Sequence, residues 1–321
     1  MGRRTLPCRR VLQEAMNKLR IIVSLPNENA YQRAQGIAAK STGEHLGFDI
    51  EVIHAGDDAI TQSQQLLKIV QSRSEPRPYA FLVEPVTGAG LHRVAHAAVA
   101  DGVAWVISNC DVDYIQQLRK TPETSSFAVT QGQMEIGRIQ GRQIAALLPA
   151  GGSVLYIQGP SSSSVSAQRR EGMEFTKRKD IRITTLRSSW SEESACRAVG
   201  AWLRLATSRA EKFDLVAGHT HELALGARKA LQDMGDHEQQ KRWLGLPFVG
   251  VGIAQQVEPL VDGNILTAAV VTSLTMELAL KTLVHALKTK VQPPEYNFVD
   301  AFSYPSLEQL QRLRQKRAGL P

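Results

Sequence analysis

Short runs of β-branched and apolar residues recur along this chain, each followed by a stretch of helical periodicity, and this alternation limits the fold more than any other feature. Ile21-Ile22-Val23-Ser24-Leu25 is too brief and too β-branched for a helix and reads as a buried strand. A turn through Pro26-Asn27-Glu28-Asn29 leads into a helix over about 31–45, where Ala34, Ile37 and Ala38 recur at helical spacing. Phe48-Asp49-Ile50-Glu51-Val52-Ile53 alternates as a second strand, with a helix around 62–71. Tyr79-Ala80-Phe81-Leu82-Val83 gives a third strand, 89–100 a third helix, and Ala104-Trp105-Val106-Ile107-Ser108 a fourth strand. Strands alternating with helices at this spacing imply a parallel sheet covered on both faces.

The pattern then restarts. A helix over about 134–148 stops at Pro149-Ala150-Gly151-Gly152. Strands follow at Ser153-Val154-Leu155-Tyr156-Ile157, Ile181-Arg182-Ile183-Thr184-Thr185-Leu186, Leu215-Val216-Ala217 and Phe248-Val249-Gly250-Val251. Helices are expected between them up to about 178, over 192–207 and over 222–234. The charged stretch 235–247 reads as a surface loop, and 274–288 as a long apolar helix ended by Gln292-Pro293-Pro294. A chain of 321 residues exceeds one average core, so two Rossmann-like α/β lobes with parallel sheets are the expected fold class. Open α/β sheets bind ligands beyond the carboxyl ends of their strands, so the loops after the strands carry the candidate site.

Charge narrows the function. Of the net +7, residues 1–20 carry +5, from six basic side chains against Glu14. Residues 306–321 carry +3, from Arg312, Arg314, Lys316 and Arg317 against Glu308, so the body between them is near neutral. Such ends read as solvated basic tails, and 1–20 is too short for a helix-turn-helix; no nucleic-acid partner is expected. No run approaches the ~20 apolar residues of a membrane span. The basic start Met1-Gly2-Arg3-Arg4 precedes no apolar run, which places the chain as written in the cytoplasm; a true start further upstream would place it in the periplasm or cell envelope. Cys8, Cys110 and Cys196 form neither a CxxC pair nor a disulfide framework.

Catalytic motifs are missing from the sequence. Gly250-Val251-Gly252-Ile253-Ala254-Gln255 has two glycines of a dinucleotide fingerprint but lacks the third and its opening βαβ context. No G-x-S-x-G or H-E-x-x-H occurs, and Asp57-Asp58 and Asp111-x-Asp113 read as turn residues. His219-Thr220-His221-Glu222 follows a strand, but alternate residues there point apart, which disfavours a shared metal. The serines 161–164 after Gly159 could face an anion or form a polar loop. A non-enzyme with neither cofactor nor metal is expected.

Several local matches then carry a resemblance. They include Gly102-Val103-Ala104-Trp105-Val106, Gln131-Gly132-Gln133-Met134-Glu135-Ile136-Gly137, Gly159 with Ala167-Gln168-Arg169-Arg170-Glu171-Gly172, Glu222-Leu223-Ala224-Leu225-Gly226-Ala227, and Val249-Gly250-Val251-Gly252. Over about 20–300 the chain resembles the type I periplasmic binding proteins, a family that includes ribose-binding proteins and the effector cores of LacI-type repressors. The resemblance implies two lobes joined by three crossing strands and hinged around a ligand, with crossings near Gln131, Val271 and Pro293. The expected division is a basic segment 1–19, a first lobe of 20–130 plus 273–291, a second of 131–271 plus 292–305, and a basic tail 306–321.

The same resemblance nominates Tyr31, Glu84, Asn109, Arg169, Trp190, Thr220 and Gly252 as ligand-binding residues. Tyr31 and Trp190 stand where the family places rings against a sugar, whose apolar face stacks while its hydroxyls hydrogen-bond. Packing of both rings within their own lobes is the alternative. Arg169 matches an arginine that donates to ligand oxygens, or forms a surface ion pair with Glu171 or Glu174. Glu84 stands where asparagine is usual, and as an acceptor would take two hydroxyls or only solvent.

Departures from the family pattern concern affinity. Asn109-Cys110 replaces an Asp-Arg pair, Gly252 an acidic residue and Val271 a polar one, at about 1–3 kcal/mol for each lost contact. The expected function is that of a substrate-binding protein for a sugar-like or other polar solute, serving an ABC permease. The alternative is a ligand sensor with a signalling partner.

Overall fold

The computed structural model describes residues 19–74, 76–205 and 211–317, with side chains to 312. The basic segment 1–19 lies outside these residues except for Leu19. The described chain divides into two compact units, one of residues up to Thr130 with Leu274–Val299, the other of Gln131–Ser273 with residues from Asp300 onward.

The first unit is built on six parallel strands in the order β11-β5-β4-β3-β1-β2. These are β1 (Leu19–Leu25), β2 (Phe48–His54), β3 (Ala80–Val83), β4 (Ala104–Ser108), β5 (Ser126–Thr130) and β11 (Tyr296–Phe298). Helices α1 (Ala30–Leu46), α2 (Ala59–Gln71), α3 (His92–Ala100), α4 (Ile115–Leu118) and α11 (Thr275–Thr289) accompany the sheet. Central strands are buried on both faces, which is why β3, β4 and β5 contain no exposed position. Ile21, Val23, Leu82, Val106 and Val129 form one core with Met276, Leu280 and Leu283 of α11. Asp58 begins α2 by accepting from the Ile60 and Thr61 N–H groups, and Asp57 turns the chain at φ 62°, so that acidic pair does belong to a turn.

The second unit repeats the plan in the order β12-β10-β9-β8-β6-β7. Its strands are β6 (Gly152–Gln158), β7 (Ile181–Arg187), β8 (Leu215–Gly218), β9 (Phe248–Ile253), β10 (Ala268–Thr272) and β12 (Ala301–Tyr304), the last antiparallel to β10. Helices α5 (Gln133–Leu147), α6 (Ser164–Thr176), α7 (Glu192–Leu203), α8 (His221–Gln232), α9 (His237–Leu244), α10 (Ala254–Asp262) and α12 (Leu307–Arg317) complete it. Alternation along β6 separates two cores: Leu155 and Ile157 face Val199, Leu223 and Trp202, while Val154 and Tyr156 face Ile144 and Met173.

Three expectations are corrected. Residues 292–299 belong to the first unit, because β11 pairs in parallel with β5, Tyr296 opposite Ala128. The supposed loop 235–247 contains α9, capped by Asp236, and buries Trp243 against Trp202 and Phe213. The expected tail 306–321 instead begins with α12, which packs on α5 and buries Leu310 in the second unit.

Candidate ligand-binding site

In the first unit the polar residues gather where neighbouring strands end. Glu84 follows β3 and Asn109 follows β4, and the register of these two strands brings the side chains together. Asn109 Nδ2 donates to Glu84 Oε1 at 3.1 Å, and Gln32 Nε2 donates to the same oxygen at 2.8 Å. Glu84 is 8% exposed and Asn109 8% exposed, so the carboxylate sits in a low-dielectric setting lined by amide donors. The backbone at Asn109 is left-handed, φ 62°, a conformation that asparagine tolerates better than most residues and that turns its amide toward Glu84.

Gln62, on the core face of α2, fixes the turn after β3. Its Nε2 donates to Ser24 Oγ at 3.1 Å and to the Glu84 carbonyl at 2.9 Å, and its Oε1 accepts the Val86 N–H at 2.9 Å. Tyr31, half-buried in the first turn of α1, has its hydroxyl 2.7 Å from Gln35 Nε2, which also reaches Thr275 Oγ1. Cys110, which stands where the family pattern has arginine, is a buried thiol. Its pKa is driven far up by desolvation first and then by Glu84 and Asp111.

In the second unit a comparable set lies beyond three adjacent strands, β7, β6 and β8. Gly159 follows β6, Trp190 lies three residues past β7, and His219 follows β8. His219 is fully buried. Its ring lies against Trp190 (centroids 6.1 Å apart, planes at 24°) and meets the edge of Tyr156 (5.1 Å, 85°). Its Nδ1 accepts the Gly159 N–H at 3.2 Å and lies 3.3 Å from Ser166 Oγ. Burial, and after it the cations Arg169 and Arg170, hold its pKa well below the usual histidine value.

Arg169 is 6% exposed. Its Nε donates to Gln133 Oε1 at 2.8 Å and its Nη1 to the His219 carbonyl at 2.5 Å. The surface ion pair considered from sequence is therefore replaced by a buried guanidinium braced from α5 and the β8 end. Trp190, half-buried, packs on the second unit's core while its indole lies over Gly159, where a Cβ would fall 2.5 Å from ring carbons Cζ2 and Cζ3.

Thr220 is the N-cap of α8, its Oγ1 accepting the Leu223 N–H. Gly252 adjoins His221, since a Cβ there would meet His221 Nδ1 at 2.6 Å. That nitrogen instead lies 3.3 Å from the Val251 carbonyl and 3.2 Å from Glu222. His219 and His221 thus have separate partners, and no group of three or more His, Cys, Asp or Glu side chains is placed to hold a metal among the described residues. The serine run supplies the α6 cap, Ser163.

Arg169, Trp190 and Thr220 therefore surround or adjoin one histidine, and Glu84 and Asn109 form one cluster with Gln32. Gly252 belongs beside His221. Sequence reasoning left out Gln32, Gln62 and Gln133, and gave His219 no partner. The one available signal was glutamine recurring on the buried faces of α1, α2 and α5.

Two doubly wound units, each with polar side chains assembled at the carboxyl ends of adjacent parallel strands, define a small-molecule-binding α/β protein. Residues 21–290 match the model of the periplasmic binding protein domain, and the chain belongs to that family. It is 26% identical over 270 residues to a D-ribose/D-allose-binding protein of Pseudomonas aeruginosa, covering 82% of this chain and 80% of that one. A putative rhizopine-binding protein of Rhizobium meliloti is 25% identical over 194 residues, and the match spans 59% of each chain. Among solved structures, the fold is shared with an ABC transporter solute-binding protein from Bacillus halodurans with bound myo-inositol (TM-score 0.75, 16% identity, 92% of this chain and 98% of that one). It is also shared with the fructose-binding periplasmic domain of a hybrid two-component system (TM-score 0.72, 18% identity, 94% and 96%).

Proposed function

We propose that the protein is a non-catalytic binding protein for a small, hydroxyl-rich solute of sugar or polyol type, of the kind that serves an ABC permease. The observation that carries this reading is the second-unit cluster, in which a half-buried indole and a buried, braced guanidinium both contact His219. A ring face with donors alongside it suits a solute that is apolar on its faces and polar on its rim. Within the first unit, Glu84 is assigned as an acceptor for solute hydroxyl protons. Asn109 supports that carboxylate in place of the missing Asp-Arg pair. Tyr31, Thr220 and Gly252 are assigned to the same solute on the family resemblance alone. The family and its named relatives favour the cell envelope over the cytoplasmic location read from the first residues.

The fructose-binding domain of a two-component system shares this fold, so solute sensing with a signalling partner is the second reading. Pull-down from membranes on addition of solute separates the two by the partner captured, a permease or a sensor kinase. The solute reading itself is tested by thermal shift against D-ribose, D-allose and myo-inositol. A solute at 100 times its Kd stabilises the chain by about 2.7 kcal/mol. Trp190→Ala and Glu84→Gln are each expected to remove the shift while the solute-free fold persists. A shift that survives both substitutions moves the site elsewhere.

A further inference from the structure

His219 lies deeper than any residue that the solute reading uses, yet the second-unit cluster is organised around it. Its ring is anchored at one atom: Nδ1 takes the Gly159 N–H, while Nε2 has no hydrogen-bond partner among the described residues. A nitrogen that accepts from a backbone N–H is unprotonated, so the ring proton resides on Nε2 and the imidazole is neutral. Packing against the Tyr156 edge and the Trp190 face sets the plane of the ring, and the Nδ1 bond to Gly159 adds to its stability there. That plane is the one on which Trp190 lies. Gly159 adjoins the indole at carbons Cζ2, Cη2 and Cζ3: its lack of a side chain admits the ring, and its N–H holds the histidine.

We propose that His219 is a positioning residue, a neutral imidazole tied to Gly159 that holds the Trp190 ring in the orientation in which it receives the solute. The proposal rests on the reading of Trp190 as a solute contact, and it concerns the ring's placement before any solute arrives. The three residues follow adjacent strands and lie 29 to 60 positions apart in the chain, so the arrangement belongs to the sheet order β7-β6-β8 and to no local motif.

Two substitutions divide the roles of the imidazole. His219→Asn keeps an acceptor near the Nδ1 position for the Gly159 N–H but removes the ring face. His219→Phe keeps the face and loses the acceptor. The ligand-free readout is the near-ultraviolet dichroism of Trp190, obtained as wild type minus Trp190→Phe, and the same subtraction made in each His219 background. The expected result is that His219→Asn collapses this signal at unchanged far-ultraviolet dichroism, whereas His219→Phe retains most of it at a lower melting temperature. Titration with D-ribose, D-allose and myo-inositol should then show binding weakened roughly 3- to 10-fold in His219→Asn, the worth of one aromatic pair, and rescued in His219→Phe. A Trp190 signal untouched by His219→Asn overturns the proposal, and so does equal loss in both variants. Failure of all three solutes to bind the wild type would overturn the solute reading instead, and the dichroism would still decide the role of His219.

Discussion

Helices α5 and α6 approach so closely that glycine is required where they cross, and Gly137→Ala turns this into a measurable prediction. A Cβ on Gly137 would land on the Arg169 carbonyl oxygen and 2.9 Å from its carbonyl carbon, both of them backbone atoms that no rotamer change can clear. Gly172 on α6 makes the reciprocal approach to Met134, and Gly141 faces the Met173 carbonyl, where a Cβ would sit at 2.6 Å. Relief of the clash needs the helices to part by about 1 Å to restore ordinary van der Waals separation. That displacement stretches the 2.8 Å bond from Arg169 Nε to Gln133 Oε1 beyond hydrogen-bond range. Overpacking costs about 1–3 kcal/mol and a lost bond to a charged group about 1.5–3 kcal/mol. Alanine returns about 0.5–1 kcal/mol of helix propensity. The net expectation is a loss of about 2–5 kcal/mol, or roughly 6–15 °C in the melting of the second unit. Tryptophan emission reports this melting well, because Trp190, Trp202 and Trp243 lie in the second unit and Trp105 alone in the first. Gly200→Ala on α7 is the control, since a Cβ there meets nothing within 4 Å and should raise stability by about 0.5–1 kcal/mol. A Gly137→Ala protein that melts at or above the wild-type temperature would refute the packing argument.

Two further perturbations follow from the clusters. His219 titrates well below its unfolded value, so below about pH 6.5 the unfolded chain takes up a proton that the folded one refuses. Stability should therefore fall by about 1.4 kcal/mol per pH unit from pH 6.5 down toward the folded pKa, with burial first and then Arg169 and Arg170 opposing protonation. His219→Asn should flatten the urea-unfolding profile by one proton, and an unchanged slope would place the uptake elsewhere. Gln62→Met fills a similar volume but removes bonds to Ser24, to the Glu84 carbonyl and from the Val86 N–H. It should cost about 2–4 kcal/mol in the first unit, seen as faster hydrogen exchange at residues 84–86; exchange at the wild-type rate would refute its role.

Elements whose burial is complete were legible in the sequence, and those defined by distant partners were not. The run Ala104-Trp105-Val106-Ile107-Ser108 is apolar because β4 is covered on both faces, and its bounds agree with those expected. Strand β11 is three residues long with no buried position, so only its pairing with β5, more than 160 residues earlier, makes it a strand. Its absence from the expectation shifted the boundary between the units by several residues. In 235–247 the charged residues concealed an amphipathic helix whose single buried side chain is Trp243. Asp236 as a cap was the available signal.

The site divides along the same line. Trp190 and Glu84 stand in loops after strands and Arg169 on α6, and the family resemblance is what nominated all three. What orients them does not stand out: Gln32 and Gln62 hold Glu84 and its turn across 52 and 22 residues, and His219 meets Gly159 across 60. An amide or imidazole buried inside a helix or after a strand has no local signature, since its partners are set by which strands the sheet makes adjacent. The departures from the family pattern acquire a physical meaning at this level. With Cys110 in place of arginine, a buried carboxylate at 84 is supported by two neutral amides, from Gln32 and Asn109. Both amides donate to Oε1, so in the first unit this oxygen is oriented by neutral donors from α1 and the end of β4 and not by a guanidinium at position 110. Selectivity should then favour solutes whose rim presents donors to that unit, and substitution of Gln32 should alter the ranking of solutes more than the fold.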